Sequence, residues 1–135
     1  DPYYRFLNKY FLFLQIPIGL TLYAIGQKLG VGGWAMVLWG IPLRLVVVYH
    51  ITWLVNSATH CWGEAPFESG DESKNNAWVA ALTFGEGWHN NHHAFPNSAR
   101  QGLFKGQIDL TWEHIKILAK LRLAKKVKLP SRSYY

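Results

Sequence analysis

Tyr10-Phe11-Leu12-Phe13-Leu14-Gln15-Ile16-Pro17-Ile18-Gly19-Leu20-Thr21-Leu22-Tyr23-Ala24-Ile25-Gly26-Gln27-Lys28-Leu29-Gly30 carries a single charge, at its far end. At about 1.5 Å rise per residue, twenty helical residues cover roughly 30 Å, the hydrocarbon thickness of a bilayer. Gly30, Gly32 and Gly33 then break the pattern. Trp34 to Val55 forms a second apolar run, interrupted by Pro42 and charged only at Arg44. A buried core helix is the competing reading of either run, because Gln15, Pro17 and Pro42 weaken the signal. Two such runs joined by a Gly-rich turn favour a membrane hairpin instead. A mean hydropathy near zero does not oppose this, since the polar second half dilutes the average. The start at Asp1-Pro2 lacks the basic region and cleavage pattern of a signal peptide.

Charge orients the hairpin. The net charge is +6, and the tail holds Lys116, Lys120, Arg122, Lys125, Lys126, Lys128 and Arg132. Positive charge beside spans favours the cytoplasmic face. Such residues meet anionic headgroups of membrane lipids more simply than nucleic acid, which is not expected as a partner. Cys61, the one cysteine, excludes an internal disulfide and suits a reducing compartment. A packing role is expected for it ahead of thiolate ligation. The expected fold is therefore all-α: transmembrane spans over 10–30 and 34–55, the second helix extended to about 62, and a cytosolic helical cap over 64–135.

The chemistry concentrates in the cap. His89, His92 and His93 follow the turn Gly85-Glu86-Gly87. On a helix the three imidazoles fall within roughly 100° of one another. Imidazole is the commonest metal ligand among side chains, and three so close together point to a metal site ahead of a chance surface cluster. If the second helix runs on to Gly63, then Tyr49, Thr52, Trp53, Asn56 and His60 share one stripe. Polar groups on a membrane helix are costly unless they face a cavity, a partner or an ion. His60, at the aqueous end of that stripe, is thus a candidate fourth ligand. Asn56, one turn earlier, is a candidate to hold a metal-bound water, with interhelical hydrogen bonding as the alternative. Glu86 is a candidate acceptor for the second nitrogen of a ligand imidazole. His50 and His114 read as packing or exposed residues.

Glu64 to Asn75 reads as a solvated loop, without the alternation of carboxylates that a calcium loop needs. Asn75 or Asn76 caps a short helix reaching Thr83, and Asp109 caps a final helix over 110–124.

Two of these segments carry a resemblance. Thr52-Trp53-Leu54-Val55-Asn56-Ser57-Ala58-Thr59-His60 followed by Gly85-Glu86-Gly87-Trp88-His89-Asn90-Asn91-His92-His93 resembles the membrane fatty acyl desaturases of the Δ9 (stearoyl) type, with cyanobacterial and bacterial members nearest. The resemblance extends over essentially the whole chain, including Ile108-Asp109-Leu110-Thr111. It implies that His89, His92 and His93 form the third histidine box, that His60 is the extra ligand, and that Asn56 acts through a bound water. Arg44, Thr52 and Trp53 then correspond to positions near the acyl channel.

The resemblance further implies a non-haem centre of two Fe ions, O2 as co-substrate, a fatty acyl-CoA or acyl-lipid substrate, and ferredoxin or cytochrome b5 as electron donor. Nitrogen ligation by itself does not select iron; activation of O2 requires a redox-active metal with open positions. The family's two earlier boxes, HxxxxH and HxxHH, are not present in these residues. The chain is accordingly expected to be the C-terminal part of a longer enzyme and inactive alone. Glu64-Ala65 stands where an aromatic-Arg pair is usual, and Arg122 where a Gly is usual, a change expected only to stiffen the last helix. A di-iron hydroxylase or ketolase is the neighbouring alternative. A bis-His haem protein would need a histidine on the first span, which has none, and a non-catalytic membrane fragment is the remaining possibility.

Overall fold

The computed structural model describes residues 1–130; Arg132, counted above in the basic tail, lies outside the described residues. These residues form helices α1 (Pro2–Lys28), α2 (Gly33–Leu38), a π-helical turn (Trp39–Leu43), α3 (Arg44–Cys61), α4 (Ala77–Leu82), α5 (His89–Ala94) and α6 (Leu110–Lys120). Among the described residues no strand forms, and only isolated bridges join Glu64 to Asn75 and Asn75 to Trp88. The chain divides into two compact units, one from Asp1 to Tyr49 and the other from His50 onward.

In the first unit, α1 begins at Pro2 rather than at Tyr10. The Asp1 carboxylate accepts the Tyr3 N–H at 2.8 Å, and proline at the first helical position loses no hydrogen bond. Pro17 sits inside the helix. Polar side chains here fold back onto the backbone or onto each other. Thr21 Oγ1 donates to the Pro17 carbonyl at 2.8 Å, and Gln27 Nε2 donates to the Tyr23 hydroxyl at 3.1 Å. Such internal pairing is what an apolar surrounding demands of polar groups. The helices of this unit meet through glycine: a Cβ on Gly33 would lie 2.5 Å from the Tyr23 ring, so only hydrogen permits that approach.

Pro42 falls within the π-helical turn. The wider ladder there accommodates a residue with no N–H, and the helix continues instead of ending. Pro2–Lys28 and Gly33–Cys61 are each long and apolar enough to cross a membrane. Their outward side chains agree, with Leu12, Phe13, Leu20 and Trp39 all exposed.

The second unit has a small apolar core, in which Val55 and Ala58 of α3 meet Val79 of α4. Its most deeply buried side chains are largely polar: Thr59, Ser73, Asn90 and Asn91 are all nearly inaccessible. Burying such groups is tolerable only when each is hydrogen-bonded. The segment Glu64 to Asn75 is largely exposed, as a solvated loop should be, and is anchored through its buried Ser73 and Asn75. Its ends are tied by Glu64 N–H to the Asn75 carbonyl (3.0 Å) and the reverse bond (2.7 Å). Lys74 then serves the end of α3, its N–H reaching the Thr59 carbonyl at 2.6 Å and its Nζ the Cys61 carbonyl at 2.9 Å. These are orphan carbonyls of a helix C-terminus, satisfied by a cation and an amide.

Asn76 caps α4 by accepting the Val79 N–H at 3.1 Å, and Asp109 caps α6 by accepting that of Trp112 at 2.8 Å. The last helix stops at Lys120, short of Ala124. The Leu123 N–H bonds the Leu118 carbonyl and the Arg122 N–H that of Ala119, which is a Schellman closure. Arg122 occupies its left-handed position, with φ 61°. The arginine thus ends the helix at a site that favours glycine, where it was expected to stiffen it. Cys61 is exposed and not packed.

Candidate metal centre

Two elements of the second unit bring imidazoles together. His60 lies in the last turn of α3, the turn whose carbonyls Lys74 closes. His89 and His93 lie one turn apart on α5, so their rings share one face, with centroids 4.3 Å apart and planes tilted by 58°. A ligand nitrogen from each of His60, His89 and His93 lies within 4.8 Å of the other two. The His89 and His93 Nε2 atoms are 3.0 Å apart. Two nitrogens each about 2.0–2.1 Å from a common ion stand roughly 3.0–3.4 Å apart, so this pair has the spacing of two ligands of one metal.

The fourth imidazole, His92, is near the others but its ligand nitrogens are outside the close group. The His92 ring is 6.0 Å from that of His89 and 5.7 Å from that of His93, and His92 is not one of the close trio. Its Nδ1 is buried without a hydrogen-bond partner. An orphaned ring nitrogen beside three clustered imidazoles is a donor set short of its acceptor. Electrostatics favour the same occupant. Burial first, then the neighbouring His93, His60 and His92 rings, push the His89 pKa down to about 4. A ring that stays neutral keeps a lone pair for a metal. The residues present therefore fit a metal ion bound by nitrogen.

The approach of α5 depends on Gly87, where a Cβ would fall 2.0 Å from the Ala80 N atom. No other residue lets the backbone entering α5 lie so close to α4. On the far side of α5, Asn90 and Asn91 fix its rotation, and neither is among the site residues expected from sequence. Asn90 accepts the Phe67 N–H at 2.9 Å and donates to the Phe67 carbonyl at 3.0 Å, to the Ser73 carbonyl at 3.1 Å and to Ser69 Oγ at 3.2 Å. Asn91 accepts from Asn75 Nδ2 at 2.7 Å and donates to the Gln101 carbonyl and to Gln107 Oε1. The signal that would have found them is a pair of amides inside a histidine segment, facing the opposite side of the helix. The loop is joined both to the helix bearing His60 and to the helix bearing His89 and His93.

Glu86 was the expected carboxylate partner of an imidazole. It accepts from Gln101 Nε2 at 3.0 Å instead. The carboxylate that meets a ring is Asp71, whose Oδ2 pairs with His93 Nδ1. Hydrogen bonds from Ser73, then from Ser69, hold the Asp71 carboxyl well below the usual carboxylate range, so it is an anion.

Asn56 lies one turn before His60 on unbroken α3 and is exposed, with its Nδ2 donating to the Thr52 carbonyl at 2.9 Å. Thr52 and Trp53 are exposed on the same helix, and the Trp53 ring contacts that of His50. Arg44 belongs to the first unit, where its Nε donates to the Gly40 carbonyl at 3.0 Å. His114 is exposed, with Nδ1 paired to the Leu110 carbonyl.

The fatty acid desaturase family model matches residues 3–120. The sn-1 stearoyl-lipid 9-desaturase of Anabaena variabilis is 54% identical over 98% of this chain and 46% of its own length. The chloroplastic palmitoyl-monogalactosyldiacylglycerol delta-7 desaturase of Arabidopsis thaliana is 52% identical over 98% of this chain and 34% of its own. The icosanoyl-CoA 5-desaturase of Limnanthes douglasii is 46% identical over 98% and 36%. The chain thus spans less than half the length of these relatives.

Proposed function

The chain belongs to the fatty acid desaturase family, and on that premise we propose that it supplies part of a membrane acyl desaturase. The reaction is the O2-dependent introduction of a cis double bond at carbon 9 of a saturated acyl group. The observation that carries the proposal is the trio His60, His89 and His93, with ligand nitrogens within 4.8 Å of one another. His92 completes the nitrogen set, and Asn56 acts through a bound water. Two irons held by these and further imidazoles of the longer protein would supply the redox chemistry that removes two hydrogens from adjacent acyl carbons.

The work of this chain's own residues is positioning. His89 stays neutral near pH 7 and offers its lone pair. Asn90 and Asn91 anchor α5 to the loop and to the segment Gln101 to Gln107, which fixes the direction of its imidazoles. Thr52 and Trp53, exposed on the helix that ends in His60, line the acyl path. Because regioselectivity is positional, the chain need only present one carbon pair to the metals.

A lipid-linked substrate is favoured by relatives whose names specify it. The Anabaena variabilis and Synechocystis sp. sn-1 stearoyl-lipid 9-desaturases are 54% and 53% identical, against 46% for the icosanoyl-CoA 5-desaturase. In this reading the two long apolar helices are membrane spans, and the basic residues after Glu113 support a cytoplasmic side for the metal site and the C-terminus. Electrons come from a ferredoxin or a cytochrome b5.

A chimaera tests this. The segment of the Anabaena variabilis relative that this chain matches is replaced by this chain, and membrane lipids are analysed for monoenes. Carbon-9 monoenes are expected, and none with His89→Ala. A hydroxylated acyl product would assign the chain to a hydroxylase instead. An inserted, iron-loaded chimaera without any acyl product would overturn the reading.

A further inference from the structure

Asp71 sits in a segment read from sequence as solvent-facing, yet its carboxylate is held from three directions. Oδ1 accepts the Ser73 N–H at 2.9 Å and the Ser69 hydroxyl at 2.8 Å. Oδ2 meets His93 Nδ1. Ser69 and Ser73 are in turn fixed by Asn90, whose Nδ2 donates to Ser69 Oγ and to the Ser73 carbonyl. The circuit therefore closes on a single helix: Asn90 of α5 anchors the loop, and the loop returns a carboxylate to His93 of α5. On the opposite edge of that ring, Nε2 faces His89 Nε2 at 3.0 Å.

We propose that Asp71 is a positioning residue that fixes the tautomer of His93, holding the proton on Nδ1 so that Nε2 presents its lone pair to the metal. The inference rests on the metal-site reading above and adds to it the residue that makes one ligand competent. An anionic acceptor cannot donate, so a neutral ring beside it must carry its hydrogen on the facing nitrogen. The unprotonated edge then points to the imidazole cluster. Such carboxylate–imidazole pairs orient ligands, and their loss typically weakens metal binding about 10–100-fold.

Isosteric replacement of Asp71 should be more damaging than truncation. In Asp71→Asn the amide oxygen stays with the Ser73 N–H and the Ser69 hydroxyl, because a backbone N–H cannot become an acceptor. The NH2 group then faces His93 Nδ1, which must give up its hydrogen, and Nε2 becomes protonated. Asp71→Ala removes the loop bonds but leaves the ring free to choose. Metal affinity is therefore ordered unsubstituted, then alanine, then asparagine. A residue that merely braces the loop gives the opposite order, since asparagine keeps that brace and alanine does not.

The test is cobalt(II) titration of the whole chain in detergent, followed by its visible spectrum, with helix content measured alongside. A 10–100-fold loss of affinity in Asp71→Asn, exceeding that in Asp71→Ala, is expected. Asparagine binding as tightly as the unsubstituted chain, or more tightly than alanine, overturns the proposal. A second readout needs neither metal nor a variant of Asp71. In the metal-free chain with ¹⁵N-labelled histidine, the His93 ring, assigned through His93→Gln, shows the Nδ1–H tautomer. An Nε2–H tautomer would overturn the proposal even in a chain that binds cobalt. If the unsubstituted chain takes up no cobalt, the metal-site reading fails, and the His93 tautomer still decides the role of Asp71.

Discussion

The two faces of α5 are built from opposite kinds of side chain. On one, His89 and His93 turn Nε2 atoms toward each other, and His92 buries an Nδ1 with no partner. On the other, Asn90 and Asn91 are buried with both amide ends engaged by the loop and by the segment Gln101 to Gln107. One face is left incomplete and the other is saturated. The difference has a physical cause. A binding site must keep unsatisfied lone pairs for its ligand, and such groups collapse or reorient unless something else holds the backbone. Six residues of helix cannot hold themselves, because short helices are marginal without tertiary contacts. The amide face supplies what the imidazole face withholds.

Removing a ligand should break the comparison most severely. His60→Ala, His89→Ala and His93→Ala are each expected to abolish cobalt or iron retention, measured by metal analysis after dialysis. His92→Ala should leave partial binding, since His92 stands outside the close trio. Equal losses at all four positions would erase the distinction between the trio and the fourth ring.

Next in size is the amide face. Asn90→Ala removes the amide that bonds the buried Ser73 carbonyl and the part-buried Phe67 N–H and carbonyl. Each such group costs about 1–3 kcal/mol, so a loss of at least about 2 kcal/mol is expected in denaturant unfolding. Weakened metal binding should accompany it, through displacement of α5. Unchanged stability would show that the loop is held without Asn90.

Acid provides a gentler perturbation of the imidazole face. The His89 pKa is about 4 in the folded chain, against about 6.5 for unperturbed histidine. Between those values the unfolded chain binds more protons than the folded one, so stability rises with pH there and falls as pH drops. The metal-free chain should lose thermal stability from about pH 6.5 toward pH 4 and change little from His89 above that range. A Tm independent of pH across the window would contradict a buried neutral His89.

The smallest effect expected is a gain. Arg122 holds φ 61° at the end of α6, where glycine carries no Cβ penalty. Arg122→Gly should stabilise by about 0.5–1 kcal/mol without altering metal affinity. A change in metal binding would mean that the comparison between the two faces of α5 leaves out a contribution from α6.

Much of this was legible from residue order. The apolar runs, the Gly30 to Gly33 break, the extension of α3 through His60 and the caps at Asn76 and Asp109 all follow from local rules. So does the nomination of His60, His89, His92 and His93, since ligand type and helical spacing are sequence properties. Helix ends were less accessible. Asp1 and Pro2 start α1 before its apolar run begins, and Arg122 adopts a conformation that its own propensity opposes. The carboxylate partner was the least accessible of all. Glu86 is close to the histidines in sequence, whereas Asp71 is twenty-two positions from His93.

The sequence by itself determined which side chains are able to bind a metal and which segments are helical, because both depend on neighbours within about one turn. Only the tertiary structure decided that His60, His89 and His93 converge while His92 stands aside, and that Asp71 is the acid at the site. Those outcomes depend on how the loop from Glu64 to Asn75 closes onto α3 and α5. That closure is made by buried amides and hydroxyls, each satisfied by a group distant in sequence, and no local pattern records which group it will be.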